Sequence, residues 1–125
     1  MTKNFSINEF NCKCGCEMPY DVYSNIKKLA DQLQILRDVI GKPIEITNAY
    51  RCVSHNIKVG GVSKSQHILG KAADIKVKGY KPKILSNLID ELIYGGRMLQ
   101  GGIGVYKTFT HYDIRKTKAR WDYQK

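Results

Sequence analysis

No apolar run in this sequence approaches the roughly 18 residues of a membrane span, and the opening MTKNFSINEF has no apolar core of the kind a secretory leader carries. A chain without a membrane span is therefore expected. Low-complexity tracts and repeats at solenoid periods are missing too, which sets aside disordered and repeat-array classes. Acidic residues are scarce, 11 against 21 Lys and Arg, and leave a formal charge of +10. Such a charge attracts nucleic acid, anionic membrane and polyanionic wall polymers alike. The basic residues form no dense arm, however, and their tightest grouping is Arg115, Lys116, Lys118 and Arg120. A solvated surface with no nucleic-acid partner is the expectation. At 125 residues the chain has room for one core, so a single domain over 1–125 and a monomer are expected.

What is present begins with a helical pattern. From Asp21, a suitable N-cap, to Gly41, apolar residues recur at Val22, Ile26, Leu29, Leu33, Leu36 and Ile40, the spacing of one helix face. Ile44 and Ile46 then alternate with polar neighbours like a strand. Asn48 to Gly70 lacks either period and reads as a long ordered loop, a length that in a small domain points to function. Ala72 to Val77 reads as a strand, and Pro82 opens a second helix through Leu85, Leu88, Ile89, Leu92 and Ile93. Gly102 to Tyr106 and Phe109 to Ile114 suit an antiparallel hairpin. The fold class expected is α+β, two main helices against a small antiparallel sheet.

Only three histidines occur. His67, at the end of the loop, precedes by seven residues Asp74, which stands within the apolar Ala72-Ala73-Asp74-Ile75. An unpaired buried carboxylate is costly, so Asp74 needs a partner, and a cation is one candidate. His111 lies on the hairpin, where period-two alternation puts it on one face with Asp113 and Arg115. Two imidazoles and a carboxylate are the donor set of a catalytic zinc, with the fourth position left for water. Against this, each histidine alone is equally readable as a hydrogen-bonded residue, and Asp74 has 21 basic side chains to choose from. Cys12, Cys14, Cys16 and Cys52 are compatible with a four-thiolate site, with one or two disulfides, or with free thiols; the one-residue spacing is tighter than the usual C-x2-4-C knuckle.

The pattern Ser65-x-His67-x-x-Gly70-x-Ala72-x-Asp74 with a distant His111 resembles the zinc D-alanyl-D-alanine carboxypeptidase family. That family includes the vancomycin-resistance D-Ala-D-Ala dipeptidases, phage L-alanyl-D-glutamate endolysins and, in fold and metal ligands, the hedgehog signalling domain. Phe5-Ser6, Glu9-Phe10, Ala49-Tyr50-Arg51-Cys52, His55-Asn56, Val59-Gly60-Gly61, Gly102 to Tyr106 and Lys118-Ala119-Arg120-Trp121 extend the likeness over nearly the whole chain, in the manner of the small phage-associated branch. The resemblance implies a hedgehog-like DD-peptidase fold, Zn2+ held by His67, Asp74 and His111, and hydrolysis of a peptide bond in peptidoglycan stem or cross-link peptides. It implies that Arg51 contacts the substrate carbonyl or carboxylate, a task suited to a guanidinium fork, and that Ser65 bonds substrate or caps the turn before His67. One position departs: where many relatives carry an acid three residues before the last histidine, this chain has Thr108. Asp113 is the nearest substitute as general base, or it supports His111 from behind. His55 is expected near the cleft or in a loop-holding hydrogen bond. Action at the bacterial cell wall, from a phage or bacterial gene, is implied. The alternative is a non-catalytic zinc module that binds the wall.

Overall fold

The computed structural model describes residues 1–123, whose elements are α+β: three α-helices and a five-stranded sheet. Helix α1, Tyr20–Ile40, is held by the predicted stripe: Val22, Ile26, Leu29, Leu33 and Leu36 are all buried. Pro19, not Asp21, is the N-cap; Asp21 falls inside the first turn, where its negative charge faces the positive end of the helix dipole. The helix ends at Gly41, whose φ of 71° is a left-handed conformation that an L side chain resists, and whose N–H closes onto the Arg37 carbonyl at 2.9 Å.

Strand β1 is Glu45–Asn48 and β2 is Ala72–Lys76. Between them the expected loop contains a short helix, α2, Val53–Lys58. Helix α3, Pro82–Tyr94, buries Leu85, Ile89, Leu92 and Ile93 behind a proline at its first turn, where a missing N–H costs nothing. Strands β3, Gly102–Val105, and β4, Thr110–Asp113, form the predicted hairpin. A further strand, β5, Ala119–Asp122, was not foreseen; it pairs in parallel with β3 at the sheet edge. The spatial order is β1-β2-β4-β3-β5, antiparallel except for that last pair.

Strand parity sorts the sheet into two faces. Ala73, Ile75, Ile103 and Tyr112 join α1 and α3 in one continuous core, with Phe5 and Phe10 closing it from the N-terminal segment. Thr110, also on the core side, ties the sheet to α3 by donating to the Pro82 carbonyl at 2.9 Å. Asp74, His111 and Asp113 alternate with these residues and project from the other face. On burying a side chain such as Leu33 or Ile75, each worth about 1.5–3 kcal/mol, the core face fixes register, because a one-residue slip would exchange the two sets.

Candidate metal centre

Asp74 and His111 are directly opposed across the β2–β4 ladder, so their side chains stand side by side on the outer face. His67 reaches the same point from the loop before β2. Asp74 Oδ1 lies 3.1 Å from His111 Nδ1 and 3.3 Å from His67 Nε2, and one donor atom from each of the three residues falls within 4.8 Å of the others. All three are buried.

Each histidine is aimed from behind. His67 Nδ1 donates to the Ala49 carbonyl at 2.6 Å, which leaves Nε2 facing Asp74. The ring's backbone is fixed as well: Ser65 Oγ accepts the His67 N–H at 3.1 Å, and the Arg51 N–H donates to the His67 carbonyl at 3.0 Å. Gly70, with φ of 73°, turns the chain from His67 into β2 so close to α1 that an added Cβ would stand 2.7 Å from Val22 Cγ1. His111 is held by Asp113, whose Oδ2 lies 2.7 Å from Nε2, which leaves Nδ1 toward Asp74. Two imidazoles with opposite nitrogens anchored, converging on one carboxylate, are the arrangement of metal-ligating histidines and their supports.

Asp113 is fully buried, and both oxygens are occupied by donors. Oδ1 accepts from the Gly102 N–H at 2.9 Å, the Arg115 N–H at 3.1 Å and Arg115 Nε at 2.9 Å; Oδ2 accepts from Arg115 Nη2 at 2.8 Å and from His111. It shares a face with His111, as alternation predicts, but sits behind the ring and does not line the cleft in front. Gly102 makes room for it, since a Cβ there would collide with Oδ2. Burial alone would raise both carboxyl pKa values, yet the hydrogen bonds outweigh it. Those from His111 and His67 hold Asp74 at about 2, and those from His111 and Arg115 hold Asp113 well below the usual carboxylate range. Burial likewise works against a charged His111, but Asp113 and Asp74 raise its pKa above the ordinary histidine value.

The cleft in front encloses about 510 Å³ and is walled by Arg51, Tyr106, Phe109, Trp121 and the 59–66 loop. Arg51 is half-buried, makes no ion pair among the described residues, and its buried Nε has no hydrogen-bond partner there. Gly61 lies against it: a Cβ would stand 3.0 Å from Arg51 Nη1 and would overlap Asn56 Oδ1. Desolvation lowers the Arg51 pKa, with Asp74 opposing, so an unsatisfied cation faces the space in front of the donor triad. Ser65 lines the cleft while its Oγ caps the turn before His67. Sequence reasoning gave no role to two walls, Tyr106 and Trp121. Trp121 Nε1 donates to Tyr106 Oη at 2.9 Å, the indole lies 5.0 Å from the His111 ring, and the Arg115 guanidinium lies over the indole at 5.4 Å. Their signal was only the close approach that Gly104 permits, where a Cβ would collide with the indole. Thr108 is exposed on a different and larger cleft, of 880 Å³, which among the described residues has no cluster of His, Cys or acidic residues able to hold a metal. His55 lies on α2, its amide directed at Cys52 Sγ.

A 45-residue stretch of the chain is 44% identical to the zinc D-Ala-D-Ala carboxypeptidase of Streptomyces albus G; it covers 35% of this chain and 18% of that protein, so the chain matches less than a fifth of the relative's length. The sequence profile of the family described as peptidase M15 matches residues 3–113, a span that contains His67, Asp74, His111 and Asp113. With nearly the whole described fold inside that match, the chain belongs to the peptidase M15 family.

Proposed function

We propose that this protein is a zinc-dependent metallopeptidase that hydrolyses a peptide bond in peptidoglycan stem or cross-link peptides. The observation that carries the reading is the convergence of His67 Nε2, Asp74 Oδ1 and His111 Nδ1 at the floor of a cleft, each imidazole anchored through its other nitrogen. The donor set fits a zinc ion: two neutral nitrogens and one carboxylate, with no fourth protein ligand among the described residues and an open side toward the cleft. When bound, zinc supplies Lewis-acid polarisation of the scissile carbonyl and a water acidified toward a pKa of ~7.

The remaining chemistry belongs to the chain. Arg51, whose Nε lacks a partner among the described residues, holds the substrate's carbonyl or terminal carboxylate oxygen and stabilises charge that develops there. Burial raises the pKa of Tyr106, which therefore keeps its proton at neutral pH; because its oxygen accepts from Trp121, that proton is left to be donated into the cleft. Asp113 acts as a positioning residue: it sets the His111 tautomer and ring plane instead of meeting substrate. The net reaction places hydroxyl on the carbonyl carbon and a proton on the leaving amine. The +10 charge favours association with anionic wall polymers.

Mass spectrometry of products from defined muropeptides, with and without chelator, tests turnover and bond choice together. Release of terminal D-Ala supports the carboxypeptidase type and internal cleavage the endopeptidase type. One observation favours a second reading, a non-catalytic zinc module for wall binding: Asp74 is the sole acidic side chain on the cleft among the described residues. Stoichiometric zinc with no cleavage of any muropeptide, and retention on insoluble wall, would establish that reading instead.

A further inference from the structure

Four cysteines stand outside the chemistry above. Cys12, Cys14 and Cys16 lie on the segment that follows the N-terminal 3-10 turn, Ile7–Phe10, and Cys52 is the N-cap of α2. Their four Sγ atoms lie within 4.8 Å of one another. The separations resolved as contacts are 3.3 Å for Cys12–Cys14, 3.5 Å for Cys14–Cys52 and 3.9 Å for Cys12–Cys52. Sulfurs on a tetrahedral shell at a Zn–S distance of about 2.3 Å would stand ~3.8 Å apart. The cluster therefore has the size of one four-thiolate shell.

The C-x-C-x-C spacing is tighter than the usual knuckle, and the local backbone compensates for it. The Gly15 N–H closes a turn onto the Cys12 carbonyl at 3.0 Å, and Gly15 takes φ of 82°, so the segment wraps around a centre instead of running straight. Two backbone amides point at sulfur: Cys52 N–H at Cys12 Sγ and His55 N–H at Cys52 Sγ, each at 3.4 Å. Amides so directed stabilise charge on ligating sulfur.

We propose that Cys12, Cys14, Cys16 and Cys52 bind a second zinc ion in a closed, structural site. Four thiolates leave no position for water, so this metal takes no part in hydrolysis. Its place in the fold gives it a different task. It fastens the 10–16 segment to the 49–52 segment, where the Tyr50 N–H also meets the Phe10 carbonyl at 3.1 Å. That second segment supplies the Ala49 carbonyl that aims His67 and carries Arg51. The thiolate site thereby braces the rear wall of the peptidase centre.

Metal analysis of the reduced, full-length protein tests the assignment. Two zinc ions per chain are expected in wild type, one in His67→Ala and one in the Cys14→Ser/Cys16→Ser double variant. Cobalt substitution guards against a misfolded double variant: the strong sulfur-to-cobalt charge-transfer absorption should appear in wild type and persist in His67→Ala. A single zinc in wild type that disappears in His67→Ala would overturn the proposal. So would the absence of the charge-transfer band, or disulfides among these cysteines in protein prepared and kept under reductant. Because His67→Ala removes one centre and leaves the other, failure of this site and failure of the peptidase reading are separable.

Discussion

Replacing Asp113 by Asn separates support from base catalysis, because every contact the carboxylate makes is to a donor. Three donors converge on Oδ1 and two on Oδ2. An amide NH2 must face one of these sets, and the less costly choice places it at the Oδ2 position, toward His111 and Arg115 Nη2. His111 Nε2 can then escape a donor–donor clash only by giving up its proton and becoming an acceptor. The ring proton moves to Nδ1, the nitrogen that faces Asp74 and that, in the proposed site, would ligate zinc. Loss of such outer support costs about 10–100-fold in metal affinity, or about 1.4–2.8 kcal/mol at 1.4 kcal/mol per decade.

Stability pays separately: removing one partner of a buried charged pair costs about 3–5 kcal/mol out of a total of about 5–15. Three measurements on Asp113→Asn are therefore needed: urea denaturation to establish that it folds, chelator competition for zinc affinity, and muropeptide turnover at saturating zinc. Weakened zinc binding is expected, with turnover substantially recovered once zinc is saturating. Wild-type zinc affinity together with abolished turnover would refute the positioning role and restore Asp113 as the base.

Other outcomes follow from the same geometry. Arg51→Ala should keep its zinc, read by metal analysis, while kcat/KM on a muropeptide falls about 10²–10³-fold, the loss typical of one oxyanion donor. Asp74→Asn should reduce zinc at the histidine centre to below stoichiometry and abolish turnover, since it removes the one carboxylate among the three proposed donors. Gly102→Ala should destabilise the protein by about 1–3 kcal/mol in urea melts and weaken zinc binding too, because the new methyl group falls on Asp113 Oδ2. For pH, the depressed pKa values of Asp74 and Asp113 contribute stability that is present above ~4 and is lost as pH falls through their folded values. His111, with a raised pKa, contributes stability that is full below ~6.5 and is lost as pH rises through its folded value. In chelator-treated protein this cluster is thus most stabilising at mildly acidic pH. Zinc displaces the His111 proton, so the Tm increment on adding zinc should grow from pH 6 to pH 8; a constant increment would contradict the coupling.

The shared face of Asp74, His111 and Asp113 was legible because strand parity is a strict rule, whereas His67, on a loop, has no such signal. Once Ala73, Ile75 and Tyr112 are assigned to a core, Asp74, His111 and Asp113 have only the other face to occupy, and the β2–β4 register brings Asp74 and His111 together. What parity cannot convey is which neighbour claims each atom. The carbonyl that aims His67 belongs to Ala49, and a backbone oxygen has no sequence signature. Helix α2 was hidden because only Asn56 among its six residues is buried, while Val53 and Ile57 are exposed, so its residues show no apolar stripe. Strand β5 was hidden because it is half-buried at an edge and pairs in parallel with a non-adjacent strand, a partnership that no local pattern encodes.

The same limit explains the two roles left open for Asp113. Alternation places its carboxylate beside His111, and both a base and a support satisfy that condition. The distinction comes from Gly102 and Arg115: the absence of a side chain at the first lets β3 close over the carboxylate, and the fork of the second occupies both oxygens. A carboxylate so enclosed favours the proposed positioning role, and the Asp113→Asn phenotype should therefore be read first in zinc affinity and only then in turnover.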